Sequence, residues 1–529
     1  MAPSPASQGA TGRGPAVPLE FRVGVTGRRY AAADPALQAV VDDELERIRD
    51  SLALPPLSAT PVGITVVSPL AEGADRLVAR AGLAAGHGLE VLLPLEPADY
   101  QDDFGSERSR EEFRALLAAA RSTTRLPPVA SRDLAYLAAG QAVVARSDVL
   151  LALVDDRETD GVGGTRDVLD LAARAGVPVR RIRLDPSTGS VAADWLPDPV
   201  VPLRPRLSDE AVRRLDEFNS WVGDHAPSAE PGGSFGEALQ TRWCAADLSA
   251  LAFQRRFRLV SRLLYVLSPT AVAVVALQLV FELDRHVVWG EVVALALLVV
   301  TLAYARRAHL LERWVSARYL AERLRSAPYL ALVGLAPFSS EGAPGGEDQR
   351  AAEDPADEWV HRALGEIWWH LPPSPPVPEV DELHTRLVEE WVRPQVDYHA
   401  QVAERSARRQ HELSRLALAL FALSLVAAVI HSAGLLEDSD LPRVVDVVSL
   451  LVPAVGGAVS GYAATRDFGR QALRSAAMSR SLRLALAELS SVQDLPALQR
   501  IVLRIDERML GDSADWHRGE RLHELELAG

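Results

Sequence analysis

One stretch decides the reading: Leu263 to Ala305, LLYVLSPTAVAVVALQLVFELDRHVVWGEVVALALLVVTLAYA. It holds two apolar runs, 263–281 and 287–305, separated only by Glu282, Leu283, Asp284, Arg285 and His286. A second pair follows at 416–436 and 444–464. Each run has about 20 residues, which at about 1.5 Å per residue crosses a hydrocarbon core of about 30 Å. A helix on the surface of a soluble protein keeps a polar face. Val272 to Val280 and Leu416 to Ile430 have almost none, so four transmembrane helices are expected.

The arginines set the expected orientation. Arg255, Arg256, Arg258 and Arg262 precede the first run, and Arg306, Arg307 and Arg313 follow the second. Arg405, Arg408, Arg409 and Arg415 precede the third, and Arg466, Arg470 and Arg474 follow the fourth. The turns within each pair are short and mostly acidic, as at Glu437, Asp438 and Asp440. The positive-inside rule then puts the amino-terminal region, the middle and the tail in the cytoplasm and the hairpin tips outside.

Composition narrows the function classes. With 529 residues there is room for a soluble domain besides the spans. A net charge of −15, with no basic patch outside the membrane flanks, argues against nucleic acid as a partner. The single cysteine, Cys244, excludes an internal disulfide and a thiolate metal cluster. No histidine pair has HExxH spacing, so neither a metal nor a resident cofactor is expected.

Residues 1–18, rich in Ala, Pro, Ser and Gly, are expected to be a disordered leader. Residues 19–204 then alternate short apolar runs (Phe21 to Val25, Gly63 to Val67, Leu89 to Leu93, Val149 to Val154, Val177 to Ile182) with segments of helical spacing. That alternation predicts an α/β Rossmann-like domain, a parallel sheet with crossover helices. Ligands in such folds sit beyond the carboxyl ends of the strands, so the turns there are the candidate site. After the first strand come Thr26, Gly27, Arg28 and Arg29, suited to phosphate by close backbone approach, a hydroxyl and planar guanidinium forks. After the second come Ser68, Glu72, Gly73, Asp75 and Arg76, where a helix begins. After the strand at Val149 comes a turn closing with Gly163, Gly164 and Thr165. Neither a Walker loop nor GxGxxG is present.

The motifs GVTGRR at 24–29, SPLAEGADRLVA at 68–79 and GGT at 163–165 resemble the SLOG superfamily. That superfamily unites DprA-like proteins, Lonely Guy phosphoribohydrolases and nucleotide-sensing domains of bacterial conflict systems. The segment 68–75 is close to the SGxAxGxD turn of DprA-like members, with Pro69 in place of its glycine. The resemblance implies a nucleotide or nucleotide-sugar ligand, held by these turns through phosphate and ribose. The Lonely Guy motif PGGxGTxxE carries a catalytic glutamate where this chain has Val168, with Asp167 one position earlier. One position on a helix turns a side chain by about 100°, so sensing is expected, with N-glycosidic hydrolysis as the alternative.

Residues 205–234 are expected to be a linker, with an amphipathic piece at Asp209 to Val222 and a hinge at His225 to Gly233. Two units of one plan follow, at 235–338 and 379–522: cytoplasmic helix, span, turn, span, cytoplasmic helix. Between them lies a Pro/Gly-rich connector, 339–378, with a short helix whose Trp359, Trp368 and Trp369 are expected as interfacial anchors or core. A long helix from Val380 into the third run is expected to bend at Pro394, and 523–529 form a tail. The motifs RYLAERLRSAPYLALVGL at 318–335 and RIDERMLGDSADWHRGERL at 504–522 resemble the SLATT domain, a two-span effector of predicted bacterial defence operons. That resemblance implies a multi-pass protein of the bacterial inner membrane that permeabilises it, with a nucleotide second messenger and the lipid bilayer as partners. Gly457 and Gly461 form GxxxG, which permits close helix approach and an expected homo-oligomer. Glu291, His431 and Asp446 lie near span ends, and Pro269 and Pro453 are candidate hinges.

Overall fold

Apolar strands that are buried on both faces assemble as a parallel sheet. The computed structural model describes residues 15–28, 35–127, 129–155, 164–184, 191–196, 202–227, 233–337, 358–433 and 442–526. It divides the chain into two units: residues 1–245 with 340–374, and residues 246–339 with 375–529. The leader up to residue 14, the core of the expected hinge at 228–232 and the tail end at 527–529 lie outside the described residues.

In the first unit the chain runs β1 (Leu19–Gly27), α1 (Pro35–Asp50), β2 (Val62–Ser68), α2 (Ala74–Ala84), β3 (Gly88–Leu93), α3 (Pro97–Gln101), α4 (Glu107–Ala119) and β4 (Ser122–Arg125). It continues through α5 (Arg132–Arg146), β5 (Val149–Asp155), α6 (Thr165–Arg174), β6 (Val179–Leu184), β7 (Val191–Leu196) and α7 (Asp209–His225). The sheet order is β4-β3-β2-β1-β5-β6-β7, parallel throughout except for the antiparallel edge pair β6–β7. The expected α/β domain is therefore present, with two edge strands the apolar pattern did not reveal. β4 is short and polar, and β7 borders only β6. α1 and α2 cover one face over Val23, Val66 and Val91, while α5 and α6 cover the other over Leu150 and Ala152.

Two helices outside the expected domain boundary belong to this unit. α7 docks through Asn219, whose side chain accepts from the Val17 N–H at 2.7 Å and donates to the Val17 carbonyl at 2.8 Å. Its Asp216 accepts from the backbone N–H groups of Ser58, Ala59 and Thr60 at 2.9, 2.9 and 2.8 Å. The first turns of α8 (Phe235–Phe281) and the connector helix α11 (Glu358–Trp369) also lie within it. Glu366 of α11, fully buried, takes both terminal nitrogens of the buried Arg22 at 2.8 and 2.9 Å. Arg362 approaches Asp148 at 3.2 Å, and the Trp369 ring lies 4.2 Å from the Arg22 guanidinium. Trp359 packs on Phe218 of α7 with ring centroids 5.3 Å apart, so these tryptophans are core of the α/β unit.

The second unit holds the rest of α8, then α9 (Val288–Arg307), α10 (Leu310–Leu332), α12 (Val380–Thr385), a π-helical turn (Arg386–Val392), α13 (Arg393–Ser432), α14 (Pro442–Arg466), α15 (Phe468–Leu489) and α16 (Leu495–Glu526). Four of its helices are long and apolar enough to cross a membrane. Their apolar side chains face outward: Leu279 is 67% exposed, Leu418 70% and Leu425 66%. Water would charge about 25 cal/mol for each Å² of that surface, and lipid would not. This is a membrane protein with a Rossmann-like domain.

The two hairpins repeat one another in backbone detail. α9 ends at the left-handed residue His309 (φ 46°) before α10, and α14 ends at the left-handed residue Asp467 (φ 42°) before α15. A tyrosine, Tyr304 or Tyr462, stands at the same distance before each kink. Where a bend is expected, at Pro394, a π-helical turn, Arg386–Val392, directly precedes the helix that carries the proline. Proline has no N–H and its ring crowds the carbonyl four residues back. That carbonyl, of Glu390, accepts instead from the Tyr329 hydroxyl at 3.0 Å. Within GxxxG, a Cβ on Gly461 would lie 2.9 Å from the Tyr265 ring, whereas one on Gly457 would meet nothing within 4 Å.

Candidate functional site

The sheet order reverses direction at β1, whose chain leads to β2 on one side while β5 lies on the other. This is the topological switch point, where the carboxyl ends of β1 and β5 open a crevice between helices on opposite faces. The turns expected to bind a ligand are built around it.

Gly27 closes β1 where three elements meet. A Cβ there would lie 2.5 Å from that of Ala74 and 2.7 Å from the Leu153 carbonyl oxygen, so only glycine fits. Beyond it, the Arg28 N–H donates to the Leu153 carbonyl at 3.3 Å, and the Ala74 N–H donates to the Arg28 carbonyl at 3.1 Å. The first turn is thus stitched to β5 and to the start of α2. Thr26 is buried one position earlier. In the second turn Ser68 Oγ, fully buried, accepts from the Leu70 N–H at 3.0 Å and holds Leu70 in a left-handed conformation (φ 58°). Gly73 (φ 96°) then starts α2, and Asp75 accepts from the Ala71 N–H at 3.3 Å.

Neither α2 nor α6 has a side-chain cap: their N-cap residues are Gly73 and Gly164. By contrast Ser106, Ser131 and Ser208 cap α4, α5 and α7. Amino termini without a side-chain cap leave backbone N–H groups and the positive end of the helix dipole for other acceptors; at α2 the first of these N–H groups, of Ala74, is already taken by the Arg28 carbonyl. Because β2 and β5 are parallel, both termini lie at the same sheet edge, one on each side of the switch point. Gly164 and Thr165 thereby join Thr26, Gly27, Arg28 and Gly73 at one edge.

Two expected residues serve a different purpose. The guanidinium of Arg76 is buried and donates to the Leu70 carbonyl at 3.0 Å and to the Ser109 carbonyl at 2.8 Å, with the Phe104 ring 4.2 Å away. Glu72 accepts from the Gly105 N–H at 3.0 Å and from the Ser109 hydroxyl. Both tie the second turn to the start of α4. Ser68 and Asp75 likewise shape the turn from within. Arg29 and Gly163 lie outside the described residues. The sequence pattern missed the part played by Leu153, whose carbonyl receives Arg28; a backbone acceptor leaves no residue-type signal.

Among the described residues no group of three or more His, Cys, Asp or Glu side chains is placed to hold a metal ion. No protein-family model matches the chain, and no curated protein is detectably similar to it.

Proposed function

We propose that this chain is a nucleotide-responsive membrane effector. The α/β unit binds a nucleotide or nucleotide-sugar through its phosphates at the switch point, and binding biases the spans toward a state that permeabilises the membrane. The observation carrying this reading is the convergence at one edge of the Gly27 turn and the two uncapped helices α2 and α6. Anions bind there because backbone N–H groups and helix dipoles are already aimed at the site. The repeated hairpins, each with a left-handed break after its second span, support reading the membrane part as two copies of one effector unit, as the SLATT resemblance implies. By the positive-inside rule the arginine flanks support a cytoplasmic α/β unit, on the side where a nucleotide messenger would be found. The bacterial inner membrane and a conflict role follow from the same resemblance.

For a ligand to switch such a protein nearly completely it must favour the active arrangement by about 5.5 kcal/mol. Calorimetric titration of the full chain in neutral detergent with AMP, cyclic nucleotides and ADP-ribose tests the site. Saturable binding without product, weakened at least tenfold by Arg28→Ala, is the expected result. Release of free base would favour the hydrolase, and no binding by any of the panel would overturn the reading.

A further inference from the structure

The helical unit contains a cavity of about 400 Å³ that no part of the nucleotide reading uses. Five helices line it: α8 with Arg258, α10 with Arg318, α13 with His399, α14 with Arg466, and α15 with Arg474. Its size lies within the range of small-molecule sites, about 300–1,000 Å³.

Its charge is unbalanced. Of the two acids on its wall, Glu322 is held by Arg318 and Arg325, and Asp467 by Arg470 at 3.0 Å. Arg318 has a second acid, Asp247, at 3.0 Å. Arg258, Arg466 and Arg474 have no acidic partner among the described residues, although all three are partly buried. The Nε of Arg258 and the Nε of Arg466 are fully buried with no acceptor. Burial, and then Arg466 and Arg262 nearby, push the Arg258 guanidinium below its usual range. His399, pushed down to about 4 by burial and Arg325, is neutral at pH 7 and leaves the excess to the arginines.

A positive membrane flank alone does not produce this arrangement. The flanking Arg255, Arg256 and Arg409 are exposed to solvent, where a cation without an acid costs little. Desolvated cations without an acceptor are costly unless an anion completes them. The geometry points to a binding site for a phosphate-bearing anion, clasped by the guanidiniums of Arg258, Arg466 and Arg474. Arginine forks match phosphate oxygens bidentately, and more than one unpaired cation calls for more than one negative charge. The phosphate has two sources: the headgroup of an anionic phospholipid or a soluble phosphate ester. Because Arg258 precedes the first span and Arg466 closes the fourth, beside the left-handed Asp467, an anion here joins the two hairpins at their arginine-rich end.

The test uses the full chain in two settings. In neutral detergent, inorganic pyrophosphate is titrated and the melting midpoint followed; in phosphatidylcholine nanodiscs, the midpoint is compared with and without cardiolipin. At least one probe is expected to raise the midpoint saturably. In an Arg28→Ala background, which removes the contribution of the switch point, Arg258→Gln with Arg466→Gln should weaken that effect at least tenfold, while Arg255→Gln with Arg409→Gln leaves it intact. Stabilisation by cardiolipin that pyrophosphate competes away assigns the lipid source; stabilisation by pyrophosphate alone assigns the soluble one. Without ligand, the Arg258→Gln/Arg466→Gln protein should melt no lower than the parent, since two unpaired cations are gone. Lower melting or aggregation of that variant, equal loss in the flank variant, or no stabilisation by either probe overturns the proposal.

Discussion

At the scale of single residues, the switch point depends on the absence of a side chain at Gly27. Gly27→Ala pushes a methyl against a backbone carbonyl that cannot turn aside, so strand and helix must part. A loss of about 1–3 kcal/mol in unfolding free energy is expected, together with loss of nucleotide binding, measured by denaturant titration and calorimetry. Two carboxylates carry a pH dependence. Burial alone would raise Asp216, but the N–H groups of Ser58 and Ala59 hold it down to about 2; Glu20, likewise opposed by burial, is held to about 2 by His370 and Arg121. Because both folded values lie below the unfolded ones, their contribution is complete above about pH 4.5 and disappears as pH falls toward 2. Melting midpoints measured between pH 6 and pH 2.5 should fall in that window, and less steeply in Asp216→Asn.

At the scale of elements, α11 is fastened by a buried ion pair that contributes more to fixing its position than to net stability. Glu366→Gln leaves the buried Arg22 cation with only the longer contact to Glu90 at 3.5 Å and should cost about 3 kcal/mol, whereas Arg22→Met with Glu366→Leu together should cost less, as chemical denaturation would show. The apolar helices make a different prediction. Leu425→Arg, on an outward face in the middle of the apolar run 416–436, should oppose insertion by about 2.5–3.5 kcal/mol and shift protein out of the carbonate-resistant membrane fraction. A lipid-free bundle would tolerate that exposed substitution. Elements with strong periodicity were legible in the sequence: the apolar strands β1, β3 and β5 and the four long runs follow simple patterns of burial. β4 and β7 were not, because an edge strand buries little and needs no apolar pattern.

At the scale of the whole molecule, what escaped the sequence was association over long separations in the chain. Nothing in the sequence around Glu366 and Arg362 points to Arg22 and Asp148, which the fold brings beside them. Arg258 and Arg466 read as membrane flanks until five helices enclose them. The candidate nucleotide site was more legible, because a parallel sheet aligns the turns that follow its strands along one edge. Even so, Glu72 and Arg76, conspicuous as charges beside a glycine, bind the protein's own loop. The chain passes between its two units inside α8 and again on either side of the segment that carries α11, so events in the α/β unit have more than one covalent route to the spans. The most direct test of that coupling is dye release from liposomes containing the full chain while the nucleotide identified by calorimetry is titrated inside and outside. Release that saturates with ligand on the face bearing the α/β unit, and is abolished by Gly27→Ala, is the predicted result; release indifferent to the nucleotide, or none at saturating binding, would contradict the account.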